Sequence, residues 1–526
     1  MNSKFVKVAS VKELNTRKRL VVKVDRKQIA LFLSDTKILA CNNRCPHEGY
    51  PLSEGSLTKD CILTCNWHNW KFDLITGDTM VGGDQLRIYE TKVIGDDIFL
   101  DVKEPPVEVE IEKTLGNLKA SFKGQEYDRM AREIARLQKV GGDPLEAVRQ
   151  AIQWTHDRFE YGMTHAFAAA QDWLKLRDDT SETASEKLVP LLETVGHMSW
   201  DSLREPKHSF TNKSQPFNSL QFETALEDED EDQAISLLNG ALKDAVDQET
   251  LFSSLRKCAL AHYADFGHSA IYTYKTQQLI ETLGPTVIGP LLKALVRSLI
   301  FARREELLPE FKRYTPALNE WEKTSSSEFE DFSLEGKNVN QSLAHTLAHS
   351  REDPENLYPR ILHQLARNML YFKADLMEKW DKPVSYNITW LAFSHGLTFS
   401  NAARTFCEKT PQLWPQTLLQ MACFSGRNAA YVDFSQNMEK WYVDDTDAFL
   451  KEAKKGLLDH ANPEFLISSH LVKVVTAVAE EVRQNPEAVY IQDLIAATNR
   501  FLNSPFKRKH TKRTATQSIE FVAREG

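Results

Sequence analysis

The chain has 526 residues and a net charge of −9, with 65 lysines and arginines against 74 aspartates and glutamates. This length predicts two or three domains, and an apolar fraction of 42% is ordinary for a globular protein with a sizeable core. The negative balance argues against nucleic acid as the main partner, because a phosphate backbone binds a cationic surface. No stretch is long and apolar enough for a secretory signal or a membrane span, so we expect a cytoplasmic protein.

The first 103 residues predict a small all-β domain. Four short runs rich in β-branched and aromatic residues alternate with glycine and aspartate turn signals. These runs are residues 20–24, 29–33, 36–40 and 97–102. The prolines at 105 and 106, followed by alternating valine and glutamate, predict a linker, which we place at residues 104–126.

From Tyr127 onward the apolar residues recur with the 3.6-residue period of an α-helix, and strand signals are nearly absent. The helix-length segments are 147–174, 232–242, 250–283, 287–302, 341–350, 358–379, 388–407 and 463–481. The predicted fold class is therefore multidomain, with a small all-β domain at residues 1–103 and a large all-α domain at residues 127–526.

The strongest chemical signal is a pair of short motifs, in which Cys45 precedes His47 and Cys65 precedes His68. Two cysteines and two histidines can hold a [2Fe–2S] cluster of the Rieske type, with the thiolates on one iron and the imidazoles on the other. Zinc also accepts two cysteines and two histidines, so zinc remains an alternative. Zinc fingers usually pair cysteine with cysteine, whereas each motif here mixes the two residue types.

Residues 45–55 and 65–77, which surround these motifs, closely resemble Rieske ferredoxins and the Rieske domains of ring-hydroxylating oxygenases. The resemblance covers residues 1–103. It implies a [2Fe–2S] cluster bound by Cys45, His47, Cys65 and His68. One departure is Asn69, which stands where this family usually has glycine.

A Rieske cluster transfers single electrons, so the helical half is expected to contain or contact the acceptor. The Asp-x₂-His-x₄-His iron motif of ring-hydroxylating oxygenases is not found in this sequence. Within residues 258–268, a helical step of 100° per residue places His262, Asp265 and His268 inside an arc of about 120°. These side chains could bind a metal or form a hydrogen-bonded core network, and the sequence leaves both open.

Three further histidines, His165, His395 and His470, also lie in apolar helical settings. Helix bundles build metal sites from facing side chains, so convergence of several would favour a metal. We therefore predict a second centre, a mononuclear or dinuclear iron site, with Asp265 as a ligand or as a hydrogen-bond partner of one. The candidate ligands are His165, His262, Asp265, His268, His395 and His470.

The helical half is also distantly similar to the histidine-rich helical proteins grouped with questin oxidase, which insert oxygen in polyketide pathways. This resemblance implies an oxidase that uses O₂, without identifying the substrate.

Two functions remain in competition. The leading hypothesis is a metal-dependent oxygenase or oxidase, in which the Rieske cluster supplies a histidine-rich iron centre that activates O₂ on a small organic substrate. An external reductase or ferredoxin is then the expected electron donor, because the chain has no glycine-rich dinucleotide fingerprint. The alternative is a non-catalytic electron carrier or redox sensor with a helical docking domain.

Overall fold

The computed structural model describes residues 4–202, 206–323, 331–378, 388–506 and 511–524. The chain divides into two compact units, Met1–Ala147 and Val148–Gly526. We call them the N-terminal and the C-terminal unit. The fold class is the predicted one, an all-β domain followed by a large helical region.

In the described parts of the chain, all strands that form sheets lie between Phe5 and Asp101. They are β1 (Phe5–Ser10), β2 (Arg19–Val24), β3 (Lys27–Ser34), β4 (Lys37–Asn42), β5 (Ser56–Leu57), β6 (Ile62–Thr64), β7 (Lys71–Asp73), β8 (Thr79–Val81), β9 (Ile88–Tyr89), β10 (Thr91–Ile94) and β11 (Asp97–Asp101).

The strands form three antiparallel sheets, with the orders β1-β11-β10, β2-β3-β4-β9 and β5-β6-β7-β8. The four predicted strand runs are confirmed as β2, β3, β4 and β11. The third sheet consists of strands of two or three residues, which are too short to be recognised by alternation. This sheet packs around Leu63 and Phe72, both fully buried, and it supports the two cysteine motifs.

The described helices follow in chain order. They are α1 (Val11–Arg17), α2 (Val107–Gly124), α3 (Tyr127–Lys139), α4 (Leu145–Thr155), α5 (His165–Thr180), α6 (Ala184–Ser202), α7 (Ser219–Glu227), α8 (Glu231–Lys243), α9 (Gln248–Ala261), α10 (His268–Leu283), α11 (Ile288–Ile300), α12 (Tyr314–Glu320), α13 (Val339–Ala348), α14 (Pro354–Leu370), α15 (Trp390–Lys409), α16 (Trp414–Asn428), α17 (Thr446–Leu457), α18 (Phe465–Gln484), α19 (Ile491–Leu502) and α20 (Thr511–Val522).

The predicted linker is largely helical, because α2 occupies residues 107–124. The alternating valines and glutamates predict part of a linker. In the structure Glu108 and Glu110 lie in the first helical turn, where the helix dipole favours negative charge. Both α2 and α3 belong to the N-terminal unit, so this unit extends beyond the predicted β domain.

Two predicted helices are interrupted. The segment 147–174 becomes α4 and α5, and the segment 250–283 becomes α9, a 3₁₀ turn at Asp265–Gly267, and α10. The first interruption contains Gly162 at φ 87°, where an added Cβ would lie 2.3 Å from the backbone nitrogen of Ser298. Only glycine fits this close approach. A residue with this positive φ cannot lie inside a continuous α-helix, so the helix is interrupted here.

The other predicted helices correspond to α8, α11, α13, α15 and α18, with ends that shift by a few residues. The predicted segment 358–379 becomes α14, which ends at Leu370, and a separate 3₁₀ helix at Ala374–Glu378. Residue 379, the predicted end of the segment 358–379, lies outside the described residues. Among the helices that the structure describes, none combines the length and the apolar character needed to cross a membrane.

The contact between α13 and α16 depends on Gly426. A Cβ added there would lie 2.5 Å from the Cα and N atoms of Val339, which are backbone atoms and cannot rotate away. Gly426→Ala is expected to lower the free energy of unfolding by about 1–3 kcal/mol, seen as a lower thermal midpoint in far-ultraviolet circular dichroism. Gly396→Ala is the matched control, because its Cβ would meet Leu365 Cδ2 at 3.4 Å, an ordinary contact. Equal effects of the two substitutions would contradict the assigned role of Gly426.

Candidate metal centres

Two tight loops carry the cysteine and histidine motifs. The first follows β4, and the second joins β6 to β7. The same backbone hydrogen bond closes both loops: Cys45 N–H donates to the Tyr50 carbonyl at 2.9 Å, and Cys65 N–H donates to the Trp70 carbonyl at 2.8 Å. The two motifs therefore have matching local geometry, although they lie on different strands.

Each loop needs one residue with a positive φ. Gly49 supplies it in the first loop at 77°, and Asn69 supplies it in the second loop at 58°. Asparagine enters the left-handed region more readily than other side chains, which explains how Asn69 can stand where glycine is usual.

The side chains of the two loops point to one place. The thiols are inside, since Cys45 and Cys65 are 4% and 1% exposed. The imidazoles lie further out, with His47 half-buried and His68 exposed, and their Nδ1 atoms are 3.0 Å apart. The loops thus present two sulfur and two nitrogen atoms, as the sequence predicted.

The donor set fits a [2Fe–2S] cluster, with two thiolates for one iron and two imidazoles for the other. Burial raises the pKa of the Cys45 thiol to about 12, so a metal must displace the thiol proton for this residue to act as a ligand. The same four atoms could also hold zinc, and the geometry alone does not separate the two.

Aromatic and ionic contacts hold His47 in place. The Trp70 ring is stacked on His47, with ring centroids 4.6 Å apart and an interplanar angle of 15°. The guanidinium of Arg129, on α3, lies 5.5 Å from the Trp70 ring. The orientation of this ligand is therefore fixed by packing as well as by its loop.

A buried carboxylate ties α3 to the same region. Asp84 is fully buried and accepts hydrogen bonds from Arg129 Nε and from Arg136, each at 3.1 Å. Arg136 also donates to the Pro46 carbonyl at 3.1 Å, inside the first loop. Asp84 carries no signal of this role in the sequence, because it follows two glycines and looks like an ordinary turn residue.

In the C-terminal unit, four of the predicted histidines meet. They come from α5, α10, α15 and α18, and we call them the four-histidine group: His165, His268, His395 and His470.

Within this group, His268 Nε2 lies 3.1 Å from His165 Nε2 and 2.9 Å from His395 Nε2. The ligand atoms of these three residues all lie within 4.8 Å of one another. The fourth ring, His470, has its centroid 4.8 Å from that of His165 and 5.0 Å from that of His395.

The outer ring nitrogens have partners that fix the tautomers. His395 Nδ1 donates to the Leu391 carbonyl at 2.6 Å, and His470 Nδ1 donates to the Leu466 carbonyl at 2.7 Å. A proton on Nδ1 leaves the Nε2 lone pair of a neutral imidazole free. Both rings therefore have an acceptor at Nε2, and that of His395 faces His268 Nε2. His470 does not belong to the three residues whose ligand atoms lie within 4.8 Å of one another.

Asp265 contacts one histidine of the group from outside. Its Oδ2 lies 3.5 Å from His268 Nδ1, on the outer side of that ring. Carboxylates behind a metal-bound histidine commonly orient the ring and increase its basicity. Asp265 thus acts as a partner of a candidate ligand.

The surroundings of the group disfavour positive charge on the imidazoles. Burial lowers the pKa of His165, His395 and His470 well below the ordinary value. Lys473, which is 2% exposed, adds to the lowering at all three. The lowered pKa of these three residues favours the neutral imidazole, which is the form that binds metal.

The nitrogen spacing suits ligands of a single metal ion. Two nitrogens that are each about 2.1 Å from a metal and about 90° apart are separated by about 3.0 Å. The Nε2 atom of His470 is buried and has no hydrogen-bond partner among the residues that the structure describes. An unpaired buried acceptor is costly, and a metal ion would satisfy it.

His262 does not belong to this group, and the predicted helix that joined it to His268 is wrong. α9 ends at Ala261, His262 is extended, and Phe266 has a positive φ of 59° before α10 begins. Both nitrogens of His262 have other partners: Nδ1 lies 2.6 Å from Glu306 Oε1, and Nε2 lies 2.8 Å from Glu227 Oε2.

These contacts predict pH-dependent stability. The hydrogen bond to Glu306 raises the pKa of His262, although burial and Arg304 oppose the rise. The stabilisation is complete below the unfolded pKa of about 6.5 and is lost as the pH rises through the folded pKa. His262→Ala should therefore cost on the order of 1 kcal/mol more at about pH 6 than at about pH 9. Thermal midpoints of both proteins at the two pH values test this, and a pH-independent difference would contradict it.

Comparison with known proteins identifies the first of the two centres. The family model described as "Rieske [2Fe-2S] domain" matches residues 4–88. The biphenyl dioxygenase ferredoxin subunit of Pseudomonas sp. (strain KKS102) is 29% identical over 99 residues, which are 18% of this chain and 91% of that protein. The 3-phenylpropionate/cinnamic acid dioxygenase ferredoxin subunit of Escherichia coli (strain K12) is 38% identical over 78 residues, which are 14% of this chain and 74% of that protein.

A solved structure matches a similar fraction of this chain. The ferredoxin of carbazole 1,9a-dioxygenase from Nocardioides aromaticivorans IC177 is matched over its whole length and over 19% of this chain, with 24% identity and a TM-score of 0.18. These matches cover the β domain and not the helices, and the similarity to questin oxidase is not shown. Through its N-terminal domain, the chain belongs to the Rieske [2Fe–2S] family.

Proposed function

We propose that this protein is a Rieske-dependent oxygenase or oxidase that uses O₂ on a small organic substrate. A [2Fe–2S] cluster held by Cys45, His47, Cys65 and His68 supplies one-electron transfer, and iron held by the four-histidine group supplies O₂ activation. The observation that carries the proposal is the convergence of the Nε2 atoms of His165, His268 and His395 at 2.9–3.1 Å from one to the next. The ring of His470, whose buried Nε2 has no partner among the described residues, has its centroid 4.8 Å from that of His165.

The chain's own residues prepare both ends of this reaction. His68 is 37% exposed at its side chain, so a reductase or ferredoxin can approach this ligand directly. In the C-terminal unit, the Leu391 and Leu466 carbonyls hold two histidines with their acceptor nitrogens at Nε2. Thr164 caps α5 by accepting a hydrogen bond from Ala166 N–H, which fixes the backbone beside His165.

The cellular setting of the proposal is the cytoplasm. All seven cysteines are unpaired in the structure, including Cys41 and Cys61, which are buried close to the cluster motifs. Thiols that remain reduced are typical of the cytosol.

A second candidate function is a non-catalytic electron carrier or redox sensor with a helical docking domain. The observation that favours it is that the relatives described above are ferredoxin subunits. The four histidines are then a hydrogen-bonded core network. Metal content separates the two functions.

One prediction of the proposed function concerns the Rieske site. The purified wild-type protein should contain two irons and two acid-labile sulfides at Cys45, His47, Cys65 and His68, following the stoichiometry of a [2Fe–2S] cluster. His68→Ala should abolish the Rieske absorption and electron paramagnetic resonance signals, because one iron loses an imidazole. Helical content should stay unchanged by circular dichroism. Zinc without acid-labile sulfide in the wild-type protein would exclude the cluster.

The second prediction concerns the four-histidine group. The wild-type chain should contain three or four irons, and His395→Ala should reduce this to about two, because His395 supplies one of the closest nitrogen pairs. Elemental analysis of the full-length protein, with the [2Fe–2S] absorption as the internal reference, measures the difference.

His262→Ala is the matched control for this experiment. It also removes a half-buried histidine near α10, but both of its nitrogens contact carboxylates outside the group. The control should retain the iron content of the wild type. Two irons in the wild type and no other metal would favour the carrier, and zinc in the second site would exclude an electron-accepting centre there.

A further inference from the structure

A cavity of about 680 Å³ lies beside the first cluster loop, inside the N-terminal unit. Its wall includes Pro46, His47 and Glu48 from the loop, and residues of α2 and α3. Small-molecule sites in proteins commonly measure about 300–1,000 Å³. The cavity is thus large enough for a small organic molecule, and a predicted cluster ligand forms part of its wall.

The cavity has a surplus of positive charge. Basic residues outnumber acidic ones in its wall by seven to three. Lys27 and Arg87 are both paired with Glu104, and Arg136 is paired with Asp84.

The remaining four basic residues make no ion pair within the described parts of the chain: Arg44, Lys113, Arg132 and Lys139. They face two remaining carboxylates, Glu48 and Glu110. The cavity is therefore short of negative charge.

Arg132 shows the deficit most directly. Its Nε atom is buried and has no hydrogen-bond partner among the described residues, although its guanidinium borders a cavity. Burial also lowers the pKa of Lys113, and the charges of Arg87 and Arg136 add to the lowering. Arg132 has no ion pair within the described residues, and an anion in the cavity would give its guanidinium a charged partner.

Part of the remaining wall is apolar, although Asn42, Gln85, Thr114 and Asn117 also line it. Leu86, Val107 and Val140 line the cavity together with Pro105. Inorganic phosphate or chloride would leave this surface in contact with water. An organic molecule with an anionic head and an apolar body matches both parts of the wall.

We propose that this cavity binds a small organic anion, with a carboxylate or phosphate head at Arg132 and Lys139 and an apolar body against Leu86 and Val140. We further propose that the bound anion lowers the reduction potential of the Rieske cluster. The proposal depends on the cluster, but it is independent of the second metal centre.

The coupling follows from charge. The oxidised cluster carries one more positive charge than the reduced cluster, and His47 lies in the wall of the cavity. An anion at this wall is therefore attracted more strongly to the oxidised protein. By reciprocity, an anion that binds the oxidised form more tightly also makes the cluster harder to reduce. A tenfold difference in affinity equals a shift of about 59 mV for one electron.

The test uses the full-length protein with its cluster and isothermal titration calorimetry. Phenylacetate and phenyl phosphate are the anionic probes, and phenylacetamide is the neutral analogue. We expect at least one anion to bind, the neutral analogue to bind roughly tenfold more weakly or not at all, and the oxidised protein to bind several-fold more tightly than the reduced protein. Spectroelectrochemical titration should show the matching decrease in potential.

Arg132→Gln and Lys139→Gln should each weaken anion binding roughly tenfold, because each removes a charged donor. Lys37→Gln and Lys92→Gln are the matched controls, since both remove an exposed lysine of the same unit outside the cavity. The Rieske absorption spectrum verifies that each variant retains its cluster. If a cavity variant loses the cluster, the anion affinities of the oxidised and reduced wild-type proteins still test the coupling between the cavity and the cluster.

Several results would overturn the proposal. No binding of either organic anion, equal binding of the neutral analogue, or binding of inorganic phosphate alone would exclude an organic-anion site. Unchanged affinity in Arg132→Gln would exclude the assigned donors. Equal affinity of the oxidised and reduced wild-type proteins would remove the coupling to the cluster.

Discussion

The C-terminal site depends on one constraint: neutral imidazoles that are buried with their lone pairs facing each other repel unless a cation or a proton lies between them. His268 and His395 approach to 2.9 Å at Nε2. The Leu391 carbonyl holds the His395 proton on the opposite nitrogen, so this ring cannot turn its N–H inward without losing that bond. The two histidines of the Rieske motifs show almost the same spacing, 3.0 Å between the Nδ1 atoms of His47 and His68. The four-histidine group and the Rieske motifs thus have nearly the same spacing between imidazole nitrogens.

The two centres differ in how far the sequence could predict them. The Rieske ligands lie in two local motifs with specific flanking residues, so Cys45, His47, Cys65 and His68 were identifiable without the structure. The four-histidine group has no local signature, since His268 is 103 residues from His165 and 127 residues from His395. An apolar helical setting selected the histidines that meet in the structure, but it equally selected His262, which does not. Convergence is a property of helix packing, which no short pattern encodes.

The error in the predicted helix through residues 258–268 also comes from packing between segments that are distant in the sequence. Residues 258–268 have helical periodicity, but contacts with a distant segment break the helix: Asp265 N–H donates to the Arg303 carbonyl and Glu305 N–H donates to the Tyr263 carbonyl, both at 2.8 Å. The break starts α10 at His268, so that Asp265 lies on the outer side of that ring. The error in the predicted helix therefore falls at the part of the fold that forms the candidate site.

Each centre also has an unpartnered cation beside it, and this arrangement has a consistent electrostatic effect. Arg132 Nε in the N-terminal unit and Lys473 Nζ in the C-terminal unit are buried without a hydrogen-bond partner in the described chain. Burial lowers the pKa of Lys473 to about 8, although Asp172 opposes the shift. A positive charge near a redox centre stabilises the state with one more electron, because the added negative charge offsets the local excess of positive charge. The unpaired Arg132 would thus favour electron uptake at the cluster, and Lys473 would have the same effect at the proposed second centre.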